Sequence, residues 1–142
     1  MGTEGLLLFA KQPDCLMTRS NNLIIHCPSK PQSMVHAKTC ATFFCKLRGL
    51  MFVRSLDPAD GLLLAEASEG RLSTAIHMLF MAMDITAVWI NAGGIVVDVR
   101  HARRWQPILV PKAPARYVLE AHASRISDFA VGDQLIFENA PL

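Results

Sequence analysis

From Gly61 onward the sequence is written in short apolar runs: GLLLAE, STAIHMLFM, ITAVWIN, IVVDVR, YVLEAHA and QLIFEN. Each is of strand length, and Gly, Pro, Asn or Asp punctuate the intervals between them, which is the pattern of a sheet rather than of core helices. Six such segments with no long helical pattern between them predict a mainly β (α+β) fold. The expected form is a compact antiparallel barrel or sandwich with one or two short helices. Asn91–Gly94, NAGG, joins two of the runs with residues that tolerate positive φ, so ITAVWIN and IVVDVR form a hairpin. Val131–Asp133, VGD, launches the last strand, and Ser124–Phe129 before it reads as a single helical turn.

The first part of the chain is different. QPD, SNN and CPSKPQS interrupt two short apolar runs, Leu6–Ala10 and Leu23–Cys27, giving loops and one edge strand. Residues 1–33 are therefore read as an irregular extension and 34–142 as a single β-rich domain. Met34–Thr39 alternates as a strand and leads into a helix over Cys40–Phe52. Thr39 or Thr42 caps that helix, and Phe43, Leu47, Leu50 and Met51 form one apolar stripe expected to pack on a core. Gly49 is where it ends or tightens.

Composition excludes several function classes. With 142 residues and 51% hydrophobic content, the chain buries a core without needing a metal or disulfide. The most apolar stretch, Leu72–Val97, contains Asp84, His77, Thr86 and Asn91 and falls short of the ~20 apolar residues of a spanning helix. The start, with Glu4 ahead of a five-residue apolar run, does not read as a secretory signal, so the expected location is cytoplasmic. Four cysteines match neither a disulfide-dense scaffold nor a paired zinc framework, and free thiols are expected. A net charge of +2 is too small to imply nucleic acid as a partner. No cofactor is called for.

Candidate chemistry concentrates in YVLEAHA. Alternation along a strand places Arg116, Val118, Glu120 and His122 on one face and Tyr117, Leu119 and Ala121 on the other. One face thus carries a cation, a carboxylate and an imidazole, enough to bind a polar ligand or, with shifted pKa values, to move a proton. The plainer alternative is the solvent face of a half-buried strand. His77, flanked by apolar residues, and Asp84, seven positions on, complete the candidate binding set. Met78, Met81 and Met83 read as core fillers rather than soft-metal ligands. Cys27, His36, Cys40 and Cys45 do not have a zinc spacing, so no metal site is assigned. Cys40, at the expected helix start, is the best-placed thiol but has no base supplied. Arg100–Trp105, RHARRW, reads as a solvated loop rather than a phosphate or base grip. Without GxGxxG, Walker A, HExxH or GxSxG elements, no catalytic residue is assigned.

The run KLRGLMFVRSL, the strand GLLLAE, IHMLFM followed by VWINAGGIVVDV, then ARYVLEAHA and FAVGDQLIF together resemble a prokaryotic family, the domain of unknown function 192. The resemblance spans about Val35–Phe137 and implies a compact, mainly β domain with a short helix at RGLM and no established activity. His77 and Met81 match one family variant in register; Arg116, Leu119 and Glu120 match its RYVLE step, and Gly132 and Asp133 its VGD turn. Asp84 stands where the family pattern has Pro, Thr86 where it has Asp, and Ser124 where Gly is common. Asp84 and Thr86 share a strand parity, so the carboxylate is expected on the same face.

Three functions fit these residues. The leading one is a non-enzymatic module binding a small polar ligand over Arg116, Glu120 and His122, with His77 nearby. A hydrolase or lyase would use Glu120 with His77 or His122 as an acid–base pair. A protein-interaction module would present the Met- and Phe-rich region around Phe80 to a partner.

Overall fold

The computed structural model describes residues 22–140. Seven strands form one sheet: β1 Asn22–Cys27, β2 Lys30–Cys40, β3 Asp60–Gly70, β4 Ile85–Ile90, β5 Val96–Ala102, β6 Ala115–His122 and β7 Ile136–Asn139. Their order is β5-β4-β6-β3-β2-β1-β7. All neighbours are antiparallel except β2 and β3, which run parallel because the connection between them, carrying helix α1 (Phe43–Arg48), crosses back over the sheet. The sheet is not closed, but an isolated bridge between Ile95 and Gln134 ties the approaches to its two outer strands together.

That curl gives the sheet two unequal faces. One face feeds an interior cluster with side chains from every strand, including Leu23, Val35, Leu63, Val88, Val96, Leu119 and Phe137. The other face, with Leu64, Ile85, Ala87, Trp89 and Val118, is covered by the connections that supply Leu50, Ile76, Met78, Met81 and Leu109. The middle strands are therefore buried on both sides. Every residue of β4 is buried, where a half-exposed strand would alternate.

Most of the expected strands form. The hairpin β4–β5 closes on Asn91, whose Oδ1 accepts from the Gly93 and Ile95 amides, while Gly94 takes φ +84°. The short helical turn before β7 is a 3-10 turn over Ala123–Asp128. The expected edge strand near Leu23 is β1, but it lies inside the sheet between β2 and β7, and it precedes residue 34, where the β-rich domain was expected to start.

Two expectations are overturned. STAIHMLFM is not a strand, and it contributes only the isolated bridge Ile76–Leu109. β4 and β6 already have neighbours on both edges, so this segment crosses over the sheet instead, burying Ile76, Met78 and Met81. Trp89 Nε1 anchors it by donating 2.7 Å to the Thr74 carbonyl. Helix α1 covers only Phe43–Arg48 rather than Cys40–Phe52, because Cys40 is still in β2 and Gly49 caps the helix at φ +48°. Its apolar stripe does not pack on a core: Phe43 is 70% and Leu47 51% exposed, and only Leu50, beyond the cap, is buried.

The expectation of free thiols is also corrected. Cys40 and Cys45 form a disulfide, their Cα atoms 5.6 Å apart across the step from β2 into α1. Cys27 is a free, buried thiol. Cys15 and the apolar run Leu6–Ala10 lie outside the described residues.

Candidate functional site

The covered face of the sheet holds a cavity of about 300 Å³. The sheet contributes Leu64, Val118 and Glu120; one wall is Lys46–Met51, from α1 and the turn after it; the opposite wall is Ser73–His77 with Met81. Lys46 and Glu66 join across the lining in a 2.9 Å ion pair. The sequence builds this space because α1 is stopped at Gly49, where a side chain would approach Glu120, and because the segment after β3 cannot join the sheet.

Glu120 is the chemical centre of the cavity. In the β-ladder its partners are Leu62 and Ala87, neither of which offers a side-chain donor. It is only 5% exposed, and its Oε2 is buried without a hydrogen-bond partner. Buried polar groups are nearly always paired, so an unpaired carboxyl oxygen inside a cavity is exceptional. Burial pushes the carboxyl up to about 7 from its ordinary 4.5, because an ionised carboxylate is costly in an apolar site. Near neutral pH the group therefore exchanges between a donor, when protonated, and an acceptor, when ionised.

His77 lines the same cavity. Leu79 N–H donates to its Nδ1 at 3.3 Å, which leaves the ring proton on Nε2 to donate to the Leu47 carbonyl at 3.2 Å. The imidazole is thus occupied on both nitrogens and ties the two walls together. His77 and Glu120 share the space without a hydrogen bond between them.

The other sequence candidates are dispersed. The alternation in β6 separates the faces as expected, with Tyr117 and Leu119 in the interior cluster, but on the opposite face Val118 and Glu120 are buried and only Arg116 and His122, towards its ends, are half-buried. Arg116 donates to the Glu66 carbonyl and lies over the Tyr117 ring, outside the cavity lining. His122 is the N-cap of the 3-10 turn, accepting from Ser124 N–H. Asp84 is drawn away to the surface, where it pairs with His101 at 3.2 Å and with Arg104. The Arg104 backbone N–H foremost, with His101 and the Arg104 guanidinium assisting, holds its carboxyl below the ordinary value against the opposing effect of burial. The expected sharing of a face by Asp84 and Thr86 does not occur: Thr86 is buried and donates to the His122 carbonyl, while Asp84 lies before β4 begins.

Sequence reasoning missed Lys46, Glu66 and Gly49, since nothing local marks them as neighbours of Glu120. It also missed a surface ladder of Phe52, Phe80 and Trp105, with ring centroids 5.6 and 5.2 Å apart. All three residues have positive φ. Met78 and Met81 go into the core, as expected, whereas Phe80 points outward. Among the described residues no three or more His, Cys, Asp or Glu side chains are grouped to hold a metal ion. No helix among them is long and apolar enough to cross a membrane.

The family model DUF192, described as Uncharacterized ACR, matches residues 25–137. The chain belongs to this family. Among curated relatives, a UPF0127 protein of Thermococcus gammatolerans is 38% identical over 105 residues, which is 72% of this chain and 67% of that protein. A UPF0127 protein of Thermococcus sibiricus is 35% identical over 103 residues, 71% of this chain and 65% of that protein. The chain thus spans about two thirds of the length of these relatives. A crystal structure from Sinorhizobium meliloti, described as a putative transcription regulator, superposes with a TM-score of 0.71 at 19% identity, covering 85% of this chain and 94% of that one. A protein of unknown function from Novosphingobium aromaticivorans superposes with a TM-score of 0.66 at 16% identity, covering 80% and 82%. At those identities the DUF192 chain shares a fold with both.

Proposed function

We propose that this protein is a small-ligand-binding module, and that its site is the cavity over Glu120 rather than the open strand face of Arg116, Glu120 and His122. The observation that carries the reading is the unpartnered, buried Glu120 Oε2 within a 300 Å³ cavity. A ligand that fits has an apolar body, to lie against Leu50, Leu64, Ile76 and Val118, and one N–H or O–H donor to meet the carboxyl. His77 serves as a wall brace whose imidazole holds α1 to the segment after β3. Asp84, Arg116 and His122 act in structure at their separate positions.

The acid–base alternative lacks its pair, because neither His77 nor His122 hydrogen-bonds Glu120. Binding therefore takes precedence over catalysis.

The test is a thermal-shift screen of small amines, amides and polyols carrying a short apolar group, against the wild-type chain and Glu120→Gln. Compounds that raise the wild-type melting temperature and lose most of that shift with Glu120→Gln support the reading. Equal shifts in both proteins, or none in either across the library, would overturn it.

A further inference from the structure

Helix α1 forms much of one cavity wall, yet almost nothing in its own sequence holds it there. It has six residues, well short of the length at which a helix is stable alone, and none of them is buried. Phe43, Phe44 and Leu47 are all exposed. Apart from the local cap bonds at Thr42 and at Gly49 and Met51, its ties among the described residues are the Lys46–Glu66 ion pair, the Leu47 carbonyl to His77, and the disulfide from Cys45 to Cys40. The ion pair is partly solvated and the carbonyl bond is single, so both are weak anchors. The disulfide is the covalent one. It fastens the exposed Cys45 to Cys40, which is buried among Leu50, Leu64 and Ile76 on the covered face.

We propose that the Cys40–Cys45 disulfide is a thiol-reversible latch on the Glu120 cavity: its reduction releases α1 and opens the part of the wall from Lys46 to Gly49, while Leu50 stays packed in the core. In the first step a thiolate of an external thiol attacks Sγ of Cys45. The Cys40–Cys45 bond breaks, a mixed disulfide forms at Cys45, and Cys40 leaves as a thiolate that takes up a proton. A second external thiolate then attacks the reductant's own sulfur in the mixed disulfide, releasing Cys45 as a thiol and the reductant as its disulfide. Two electrons pass from the external thiols to the protein and two protons are bound. The exposed position of Cys45 sets the direction of attack, and the thiol left at Cys40 returns to an apolar environment suited to its neutral form.

The consequence for ligand occupancy rests on reading the cavity as a binding site, but the latch is tested without any ligand. The full chain is compared before and after treatment with dithiothreitol, and after reoxidation with oxidised glutathione. Two readouts are used: backbone hydrogen exchange mapped over residues 43–49, and labelling of Glu120 by a water-soluble carbodiimide with glycine ethyl ester, located by mass spectrometry.

Reduction is expected to speed exchange over residues 43–49 at least tenfold and labelling of Glu120 several-fold. Exchange in β3, β4 and β6 stays unchanged, and reoxidation restores both readouts. The variant Cys45→Ser, at an exposed position, reproduces the reduced behaviour without reductant. Unchanged exchange and labelling on reduction would overturn the latch, as would iodoacetamide alkylating both Cys40 and Cys45 fully in aerobically purified, unreduced protein. Failure of the ligand screen alone would count against the cavity as a binding site and leave these readouts intact.

Discussion

Gly49 and Glu120 meet across the cavity, so that a Cβ placed on Gly49 would stand 3.5 Å from Glu120 Oε2. The two residues are far apart in sequence and come from the helix cap and the sheet. Their approach is what brings backbone, rather than a side chain, against the unpaired carboxyl. It also requires the positive φ at Gly49, a conformation that side-chain-bearing residues adopt only under strain.

Gly49→Ala is therefore expected to lower stability by about 1–2 kcal/mol through the backbone alone, since the added methyl meets the carboxyl at ordinary contact distance. Urea unfolding monitored by tryptophan fluorescence measures it. A midpoint equal to wild type would show that the cap relaxes without strain.

Glu120 gives the protein a specific pH dependence. Its folded pKa, about 7, lies above its unfolded value of 4.5, so the native state binds the extra proton. The sign follows: the carboxyl costs the fold nothing below about pH 4.5, and its unfavourable contribution grows as pH rises toward 7. The full effect is about 3 kcal/mol at most. Glu120→Gln removes this titration. The stability difference between Glu120→Gln and wild type, from denaturant titrations at pH 5 and pH 8, is expected to move in favour of Gln at the higher pH. A difference that is constant with pH would contradict the assignment.

Trp89 fixes the cavity's second wall. It is fully buried, and its indole N–H bonds to the Thr74 carbonyl at 2.7 Å. Trp89→Phe loses that bond and part of the packing, an expected cost of about 2 kcal/mol. Hydrogen exchange over residues 71–84 should accelerate more than in β3. Uniform acceleration would mean that the indole supports the sheet as a whole rather than this segment.

Arg125 joins parts of the chain that do not line the cavity. Its guanidinium donates to Asp128 and to the carbonyls of Pro58, Gln32 and Met34, and the residue is buried. Arg125→Ala strands all four acceptors and is expected to cost about 3 kcal/mol or more in thermal or urea unfolding. A loss below about 1 kcal/mol would show that solvent replaces the guanidinium readily.

Local sequence determined the strands whose ends carry turn chemistry. Asn91 and Gly94 fix the β4–β5 hairpin, Gly132 starts the approach to β7, and period-two patterning puts Tyr117 and Leu119 on the side opposite Val118 and Glu120. These are nearest-neighbour effects of φ preference and side-chain alternation, so they are written within a few residues. Glu120 was picked out for the same reason, as a carboxylate alternating with apolar residues.

Only the tertiary structure decided what Glu120 faces. Whether STAIHMLFM became a strand depended on whether a sheet edge was free, and β4 and β6 had none to offer. The apolar stripe of α1 was left outside because the helix ends at Gly49 and Cys45 is fastened back to Cys40. His122, two residues from Glu120, and Asp84, seven from His77, were drawn to nearer partners, Ser124 for the first and His101 and Arg104 for the second. A hydrogen bond is satisfied by whichever partner the chain's path brings within reach. That path, set by strand order and long-range packing, turned a strand carboxylate into a buried, unpaired group at the centre of a cavity.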